Sequence, residues 1–177
     1  MLLQNLSTEP DCWKALPSWG PEPAPPPGLT WQGLMRRALR LARAAARVGE
    51  IPVGALVVGP EGEILSEAHN ETEVLHDPTA HAEVLALRRA AAKVGNHRLG
   101  GCVLVVTLEP CLMCTGAIRE SRVSGVVFGA SDARAGAVCS CLEGLDYAQT
   151  GAQPWNYGGV EATACADILR EFFKVRR

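Results

Sequence analysis

Apolar residues between Trp31 and Val48 recur at spacings of three and four positions, the period of one face of an α-helix. Arginines recur at a similar period on another face, which is typical of a solvated helix surface. Gly49 then supplies a stop signal. The pattern predicts an amphipathic helix. Its apolar face is formed by Leu34, Ala38, Leu41, Ala45 and Val48, and its basic face by Arg36, Arg40, Arg43 and Arg47.

Several later runs are typical of β-strands. "IPVGALVV" (51–58), a "GPEG" turn and "EILSEAHN" (63–70) predict a hairpin. "CVLVVTL" (102–108) and "SGVVFGA" (124–130) are continuous apolar runs of strand length, as expected for strands buried on both faces. "GGVEA" (158–162) is a candidate for a further short strand.

Helix signals separate these strands. The helix after the hairpin is expected to begin at about residue 78, where Asp77 or Thr79 can cap it, and to end near Val94. Strands that alternate with helices predict an α/β fold in which a mixed sheet is layered with helices. Further helices are expected over about 110–120, within 141–149 and over roughly 163–175.

Proline content sets the first part of the chain apart. Residues 1–28 contain seven of the twelve prolines, and such a stretch is expected to be an extended or disordered tail. The remainder, 29–177, is expected to form one domain. A chain of 177 residues with 47% apolar and 20% charged residues buries a core without needing a metal or disulfides to fold.

Charge and cysteine content limit the partners and the cellular compartment that are expected. The net charge of −2 argues against bulk electrostatic attraction to nucleic acid, although it leaves room for a local basic patch. No secretory signal and no apolar run of about 20 residues is visible, so no membrane segment is expected. Seven cysteines, an odd number, then indicate reduced thiols in a cytoplasm.

Two short motifs carry the candidate chemistry, "HAE" at 81–83 and "PCLMC" at 110–114. His81, Cys111 and Cys114 supply one imidazole and two sulfurs, and three protein ligands with an open fourth position are typical of a catalytic zinc site. Cys111 and Cys114 share a helix face, whereas His81 and Glu83 do not. Both motifs fall at predicted helix starts, so we expect two helix N-termini to converge on one metal.

Each motif has a plainer interpretation when taken alone. A single CxxC is also compatible with a redox pair or with half of a structural zinc site, and Cys139 and Cys141 are a weak candidate for the second half. A single HxE is common by chance. Together, with 26 residues between Glu83 and Pro110, the two motifs form a specific signature of zinc nucleobase deaminases.

The chain closely resembles the bacterial tRNA-specific adenosine deaminases over about residues 31–177. The resemblance is marked by "PVGA", "HDPTAHAE", "NHRL", "TLEPCLMC", "VVFGASDARAGA" and "EFFKVRR". It implies a cytidine deaminase-like three-layer α/β/α fold with a mixed central sheet of about five strands. It also implies one Zn²⁺ per chain, a homodimer, and a tRNA anticodon stem-loop as the substrate, with adenosine at the wobble position converted to inosine.

Roles for individual residues follow from the same resemblance. Glu83 is expected to be the catalytic residue that moves protons without binding the metal. Asn70 is expected to contact the base or ribose, and Asp132 the flanking nucleotide, although a strand-end turn and a helix cap or turn remain alternatives for them. Phe172 or Phe173 offers a ring for base stacking, with core packing as the alternative for at least one of the two.

The chain also departs from the family pattern. Ser131 stands where a basic residue is frequent, and the basic extension that is frequent after the last helix is not expected here. RNA affinity is therefore expected to rest more on Arg88, Arg89, Lys93 and Lys174.

Two other functions stay open at this point. One is a deaminase of free guanine, cytosine or their nucleosides, which would use the same zinc chemistry. The other is a non-enzymatic RNA-binding or scaffold protein with a structural zinc. The presence of Glu83 argues against the second, because a structural site has no use for that carboxylate.

Overall fold

A computed structural model describes residues 23–146 and 153–176. Its five strands form one sheet, and five helices flank or connect them. In chain order these elements are α1 (Trp31–Arg47), β1 (Gly54–Val58), β2 (Ile64–His69), α2 (Thr72–Leu75), α3 (Ala82–Val94), β3 (Val103–Leu108), α4 (Leu112–Ser121), β4 (Gly125–Ala130), β5 (Trp155–Tyr157) and α5 (Ala162–Val175).

The sheet is mixed, with the strand order β2-β1-β3-β4-β5. β1 pairs antiparallel with both β2 and β3, whereas β3, β4 and β5 run parallel to one another. Parallel neighbours need a crossover connection, and α4 supplies it between β3 and β4. The predicted α/β fold with a mixed sheet of about five strands is therefore confirmed.

Helices cover both faces of the sheet, which creates two hydrophobic cores. On one face, α3 and α4 pack through residues such as Leu85 and Ile118 against Leu104 and Val126. On the other face, α1 and α5 pack through residues such as Met35 and Cys165 against Val105. Successive residues of β3 alternate between the two cores, so its continuous apolar run is explained by burial on both sides.

α1 packs unusually close to the sheet at Gly54, the first residue of β1. A Cβ atom at this position would lie 2.1 Å from the carbonyl oxygen of Ala38 and 2.7 Å from the backbone nitrogen of Ala42. Any side chain here would push α1 away from the sheet. The glycine of "IPVG" is thus required by packing.

The predicted start of the helix after the hairpin is wrong. α3 begins at Ala82, four residues later than expected, with His81 as its N-cap. Asp77 instead closes a turn, in which its Oδ1 accepts from the backbone N–H and the hydroxyl of Thr79 at 2.8 and 2.7 Å. An aspartate with these local bonds can open a turn as readily as a helix. The short helix α2, which precedes this turn, was not predicted.

Two expectations near the C-terminus need correction. The strand predicted at 158–162 is wrong, because β5 lies at Trp155–Tyr157 and Glu161 is already the N-cap of α5. A helix was expected within 141–149. Residues 141–146 form bends and turns and contain no helix. Residues 147–149 lie outside the described residues.

Most of the predicted tail, residues 1–22, lies outside the described residues as well. The remaining part, 23–28, contacts the domain. The indole N–H of Trp31 donates to the carbonyl of Pro23 at 2.8 Å, and Pro26 is buried. The boundary at residue 28 stays a prediction, but the last residues before it already pack on α1.

No helix among the described residues is both long enough and apolar enough to cross a membrane. Five cysteines in the described ranges have free thiols, in line with the expectation of reduced thiols for these five. The free thiols belong to Cys102, Cys111, Cys114, Cys141 and Cys165.

Candidate active site

Strand register brings the candidate residues to one edge of the sheet. His69, the last residue of β2, pairs with Gly54, and Leu108 at the end of β3 pairs with Ala130 at the end of β4. The backbone N–H of Gly54 also donates to the hydroxyl of Thr107 at 3.1 Å. The segments that leave β2, β3 and β4 therefore start side by side. They carry Asn70, the PCLMC motif and Asp132.

His81, Cys111 and Cys114 form a triangle at this edge, which we call the metal group. The His81 Nδ1 atom lies 3.7 Å from Cys111 Sγ and 3.5 Å from Cys114 Sγ, and the two sulfurs are 3.7 Å apart. A tetrahedral zinc with Zn–S of about 2.3 Å and Zn–N of about 2.0 Å separates such atoms by about 3.5–3.8 Å. The donor set and the spacing therefore fit one zinc ion.

Two helix N-termini converge on the metal group. His81 is the N-cap of α3 and Cys111 is the N-cap of α4, and both have extended backbone angles and no side-chain capping bond. Their side chains are instead turned toward each other. The positive ends of two helix dipoles then lie beside the sulfurs, which favours thiolates.

Ionisation of the metal group agrees with cation binding. A hydrogen bond from Cys114, followed by one from His81, lowers the pKa of the Cys111 thiol to about 4. The pKa of Cys114 is raised, chiefly by the same bond to Cys111, because one proton is shared between the two sulfurs. A bound cation takes the place of that proton and allows both to be thiolates.

Glu83 lies in the first turn of α3 and is almost fully buried, with 4% of its surface exposed. Burial raises the pKa of its carboxyl above the ordinary value, although its own backbone N–H and the neighbouring His81 oppose the shift. A buried carboxyl with a raised pKa holds a proton more readily than an exposed one, as general acid–base residues in active sites do.

Asn70 is also buried, and its side chain belongs to a second cluster of hydrogen bonds. The Nδ2 atom donates to the Glu50 carboxylate at 3.1 Å and to the Thr72 hydroxyl at 2.9 Å. Next to it, the Glu71 N–H donates to the carbonyl of Ala80, the residue before His81, at 3.0 Å. Asn70 is therefore held beside the start of α3.

Glu50 organises this cluster, and sequence reasoning missed it. Its side chain is fully buried, and Oε1 accepts from the backbone N–H groups of Glu73 and Val74 at 2.8 Å each. Burial alone would raise the pKa of Glu50, but these bonds, with those from Asn70 and Thr72, lower it below the ordinary value. The ionised carboxylate caps α2. We call this set the Glu50 anchor; it contains Glu50, Asn70, Thr72, Glu73 and Val74.

Asp132 opens the loop 131–141 that follows β4, here called the β4 loop. Its Oδ1 accepts from the backbone N–H groups of Arg134 and Ala135 at 2.9 and 3.2 Å. Asp132 thus closes a turn, as one of its two sequence interpretations predicts. The β4 loop reaches the metal group, because the Ala137 N–H donates to the Pro110 carbonyl at 2.8 Å and Gly136 forms a β-bridge with Cys111.

The aromatic and basic candidates are placed differently. Phe172 is buried and packs edge-to-face on Phe173 at 5.3 Å between centroids, which fits the core role expected of at least one ring.

The basic candidates contact groups of this chain. Arg89 donates to Glu71 and to the Glu67 carbonyl, and Lys93 donates to the Ile64 carbonyl at 3.1 Å. Arg88 lies 4.0 Å from Asp77. Three of the four predicted RNA-contacting cations therefore bind or approach groups of this chain.

A three-layer α/β fold with a His-Cys-Cys group at the converging ends of two helices defines a metal-binding domain with an adjacent buried carboxyl. Residues 30–130 match the family model for the cytidine and deoxycytidylate deaminase zinc-binding region. The chain belongs to this family.

Relatives with known names extend the match. The tRNA-specific adenosine deaminase of Aquifex aeolicus is 45% identical over 144 residues, which cover 81% of this chain and 93% of that protein. The tRNA(Ile)-lysidine synthase of Deinococcus deserti is 47% identical over 143 residues, but this chain spans only 27% of its length. The resemblance to bacterial tRNA-specific adenosine deaminases predicted from the motifs is confirmed.

Solved structures agree on the fold and differ in substrate. A structure from a study of A-to-I editing by tRNA:A34 deaminases superimposes with a TM-score of 0.74 and 38% identity, covering 77% of this chain and 98% of that one. A guanine deaminase from Nitrosomonas europaea gives a TM-score of 0.67 and 26% identity, covering 94% of both chains. The predicted cytidine deaminase-like fold is confirmed.

Proposed function

We propose that this protein catalyses the zinc-dependent hydrolytic deamination of adenosine to inosine at the wobble position of tRNA. The observation that carries the reaction type is the metal group with Glu83 beside it. The observation that supports the substrate is the match to a tRNA-specific adenosine deaminase over 93% of that protein's length. We also propose a cytoplasmic location, where such a substrate is found.

His81, Cys111 and Cys114 are the proposed ligands of one zinc per chain, and residues 29–177 form the proposed deaminase domain. Zinc in such a site supplies a water that is activated near neutral pH. The burial of Cys114 and the partial exposure of His81 and Cys111 leave one side of the triangle open to solvent. That side is where we place the reacting carbon, C6 of adenine.

Glu83 is the proposed proton carrier. Its carboxylate takes a proton from the attacking water and delivers it to N1 of the ring. It then helps the exocyclic amine leave as ammonia, so that the bond from C6 to nitrogen breaks after the bond from C6 to oxygen has formed. Burial raises the pKa of Glu83, which favours its protonated form relative to an exposed carboxyl and suits the proton-donating half of this cycle.

Asn70 and Asp132 are the proposed substrate contacts, at the target nucleotide and at the flanking nucleotide respectively. Both lie at the ends of strands that meet at the same sheet edge as the metal group. Bases of an anticodon loop are unpaired and can be splayed out, and extrusion of such a base costs only a few kcal/mol. Selectivity then comes from the loops around the zinc.

A homodimer is the proposed assembly. Leu112 and Met113, in the first turn of α4, are 62% and 36% exposed, and Leu142 beside the β4 loop is 51% exposed. A second copy would cover this apolar surface next to the metal group. We expect Leu112→Lys to shift the protein toward monomer in light scattering, whereas Val94→Lys, at the far end of α3, leaves the mass unchanged. A wild-type monomer at micromolar concentration contradicts the assembly.

Deamination of free guanine is the second candidate, favoured by the similarity to the guanine deaminase of Nitrosomonas europaea. The identity to that protein is 26%, against 45% for the tRNA-specific relative, so the tRNA substrate is preferred.

The test of both candidates is inosine formation on an anticodon stem-loop, measured beside ammonia release from free adenosine, guanine and cytidine. We expect turnover of the stem-loop. Efficient turnover of guanine or cytidine with an untouched stem-loop would replace the proposal with the small-molecule activity.

A further inference from the structure

Glu109 is a buried carboxylate that no step of the proposed reaction uses. It follows β3 directly and stands two residues before Cys111, and only 2% of its surface is exposed. All of its side-chain hydrogen bonds come from the β4 loop. Oε1 accepts from the backbone N–H groups of Val138, Cys139 and Ser140 at 3.2, 2.8 and 2.8 Å, and Oε2 accepts from the Asp132 N–H at 3.0 Å and from the Ser140 hydroxyl.

The two oxygens therefore hold two different arms of one loop. Oε1 binds the returning arm, 138–140, and Oε2 binds the outgoing arm at Asp132. Gly136, at the tip between the arms, packs on the carboxylate so closely that a Cβ atom would lie 2.4 Å from Oε2 and 2.6 Å from the Asp132 carbonyl oxygen. The loop is wrapped around this one side chain.

We propose that Glu109 is a positioning residue that fixes Asp132 relative to the metal group. The inference rests on the proposed function, since the contact between Asp132 and RNA is itself proposed. Because Glu109 and Cys111 belong to one short segment, a single rigid unit carries a metal ligand and the anchor of the flanking-nucleotide contact. The side chain thereby sets the distance between the nucleotide next to the target and the reacting carbon.

The chemistry of the donors explains why a carboxylate stands here. Four backbone N–H groups and one hydroxyl all point at it, so both oxygens must accept. A glutamine can keep one accepting oxygen toward 138–140, but its NH₂ group then faces the Asp132 N–H, donor against donor. Glu109→Gln is therefore expected to release the Asp132 arm selectively.

Steady-state kinetics on the anticodon stem-loop with Glu109→Gln test this. We expect KM to rise about tenfold, the worth of one hydrogen bond to a charged group, with kcat within about twofold and with unchanged zinc content. Ser140→Ala is the matched control, because it removes a bond to the same Oε2 atom and keeps the Asp132 N–H bond; its KM should stay near wild type. A lower kcat at unchanged KM, or loss of zinc, overturns the proposal.

A double-mutant cycle separates positioning from general loop damage. If Glu109 acts through Asp132, then Glu109→Gln changes KM little further in an Asp132→Ala background, whereas additive effects contradict the proposal. Gly136→Ala, which displaces the same arm from the loop side, should reproduce the KM effect and serves if Glu109→Gln does not fold.

Hydrogen exchange gives a readout that does not depend on the substrate. The Asp132 amide should be protected in the wild-type protein and exchange faster in Glu109→Gln, while the amides of 138–140 stay protected. Equal exchange of both arms in the variant overturns the inference. If the wild type does not act on the stem-loop, the proposed function fails, and the exchange pattern alone decides whether Glu109 holds Asp132.

Discussion

Glu83 beside the metal group and Glu50 in the Glu50 anchor are both buried carboxyls, 4% and 0% exposed, yet their pKa values shift in opposite directions. Glu50 is surrounded by two backbone N–H groups, an amide and a hydroxyl that all donate to it. Glu83 has few donors, so burial dominates and its pKa rises. For Glu50 the donors outweigh the cost of burial and the carboxyl keeps its charge, whereas for Glu83 burial outweighs the few groups that oppose it.

The different surroundings of Glu50 and Glu83 suit them to different roles. A carboxylate with four donors is a fixed ion that organises backbone, and protonating it would orphan the groups around it. A buried carboxyl with few donors can change its protonation state at little cost to its surroundings. The same residue type therefore serves as a structural anchor in one region and as a proton carrier in the other.

The largest expected effect is loss of the metal. Cys114→Ala removes one of three ligands, so we expect zinc content and deamination to disappear together. Cys165→Ala is the matched control, because Cys165 is equally buried but lies in the core between α5 and the sheet. Elemental analysis and activity are measured on the same samples. A zinc-free Cys114→Ala protein with full activity would show that the pocket works without metal.

Glu83→Gln should show the next largest effect. The isosteric amide cannot carry protons, so kcat should fall by about 10²–10⁴-fold, the usual contribution of a general acid–base. Zinc content and thermal stability should stay near wild type, since Glu83 is not a ligand. Near-normal turnover in this variant would remove the proposed distinction between the two carboxyls.

Glu50→Gln should act on stability rather than on chemistry. The amide opposes part of the donor set, and we expect the free energy of unfolding to fall by about 1–3 kcal/mol. Urea unfolding at neutral pH measures this. If Glu50→Gln is as stable as wild type but lacks turnover, then Glu50 belongs to the reaction and not to the anchor.

The pH dependence of the stability lost in Glu50→Gln tests whether Glu50 is ionised in the folded protein. The folded-state pKa of Glu50 is below its unfolded value, so the stabilisation is present above about pH 4.5 and is lost as pH falls through the folded pKa. The gap in unfolding free energy between wild type and Glu50→Gln should therefore be constant near neutral pH and shrink on acidification below about pH 4.5. A gap that widens on acidification has the wrong sign for this account.

The smallest effect is expected from the N-terminal segment. Removal of residues 1–22 should leave deamination and stability unchanged, because the proposed deaminase domain begins at residue 29. Removal of 1–28 also deletes Pro23 and Pro26, and should lower the free energy of unfolding by about 1 kcal/mol through the lost bond to Trp31. Lost activity on the stem-loop in the shorter truncation would show a role for that segment in RNA binding.

Local sequence patterns predicted four of the five strands and brought out the metal motif, because that information is local; β5 was misplaced. Continuous apolar runs mark β3 and β4. Cys111 and Cys114 are only three residues apart, and His81 and Cys111 each stand at a helix start. The start of α3 was misplaced because Asp77-Pro78-Thr79 carries the same signals for a turn as for a helix cap. A one-turn error there did not move His81 away from the helix end.

The contacts of the two organising carboxylates could not be predicted in this way. Glu50 meets donors 20–24 residues away in sequence, and Glu109 meets donors 23–31 residues away. Only the folded sheet brings these groups together, so local patterns do not predict these contacts. Residues that position a site are thus harder to find than the residues that form it.

The most direct test of the central claim follows the oxygen atom. An anticodon stem-loop with adenosine at the wobble position is incubated with the zinc-loaded protein in ¹⁸O-water, and the product nucleoside is analysed by mass spectrometry. We predict inosine that carries one solvent oxygen at C6, formed together with an equal amount of ammonia and nearly absent with Glu83→Gln. Unchanged adenosine, or inosine without solvent oxygen, would contradict hydrolytic deamination at this site.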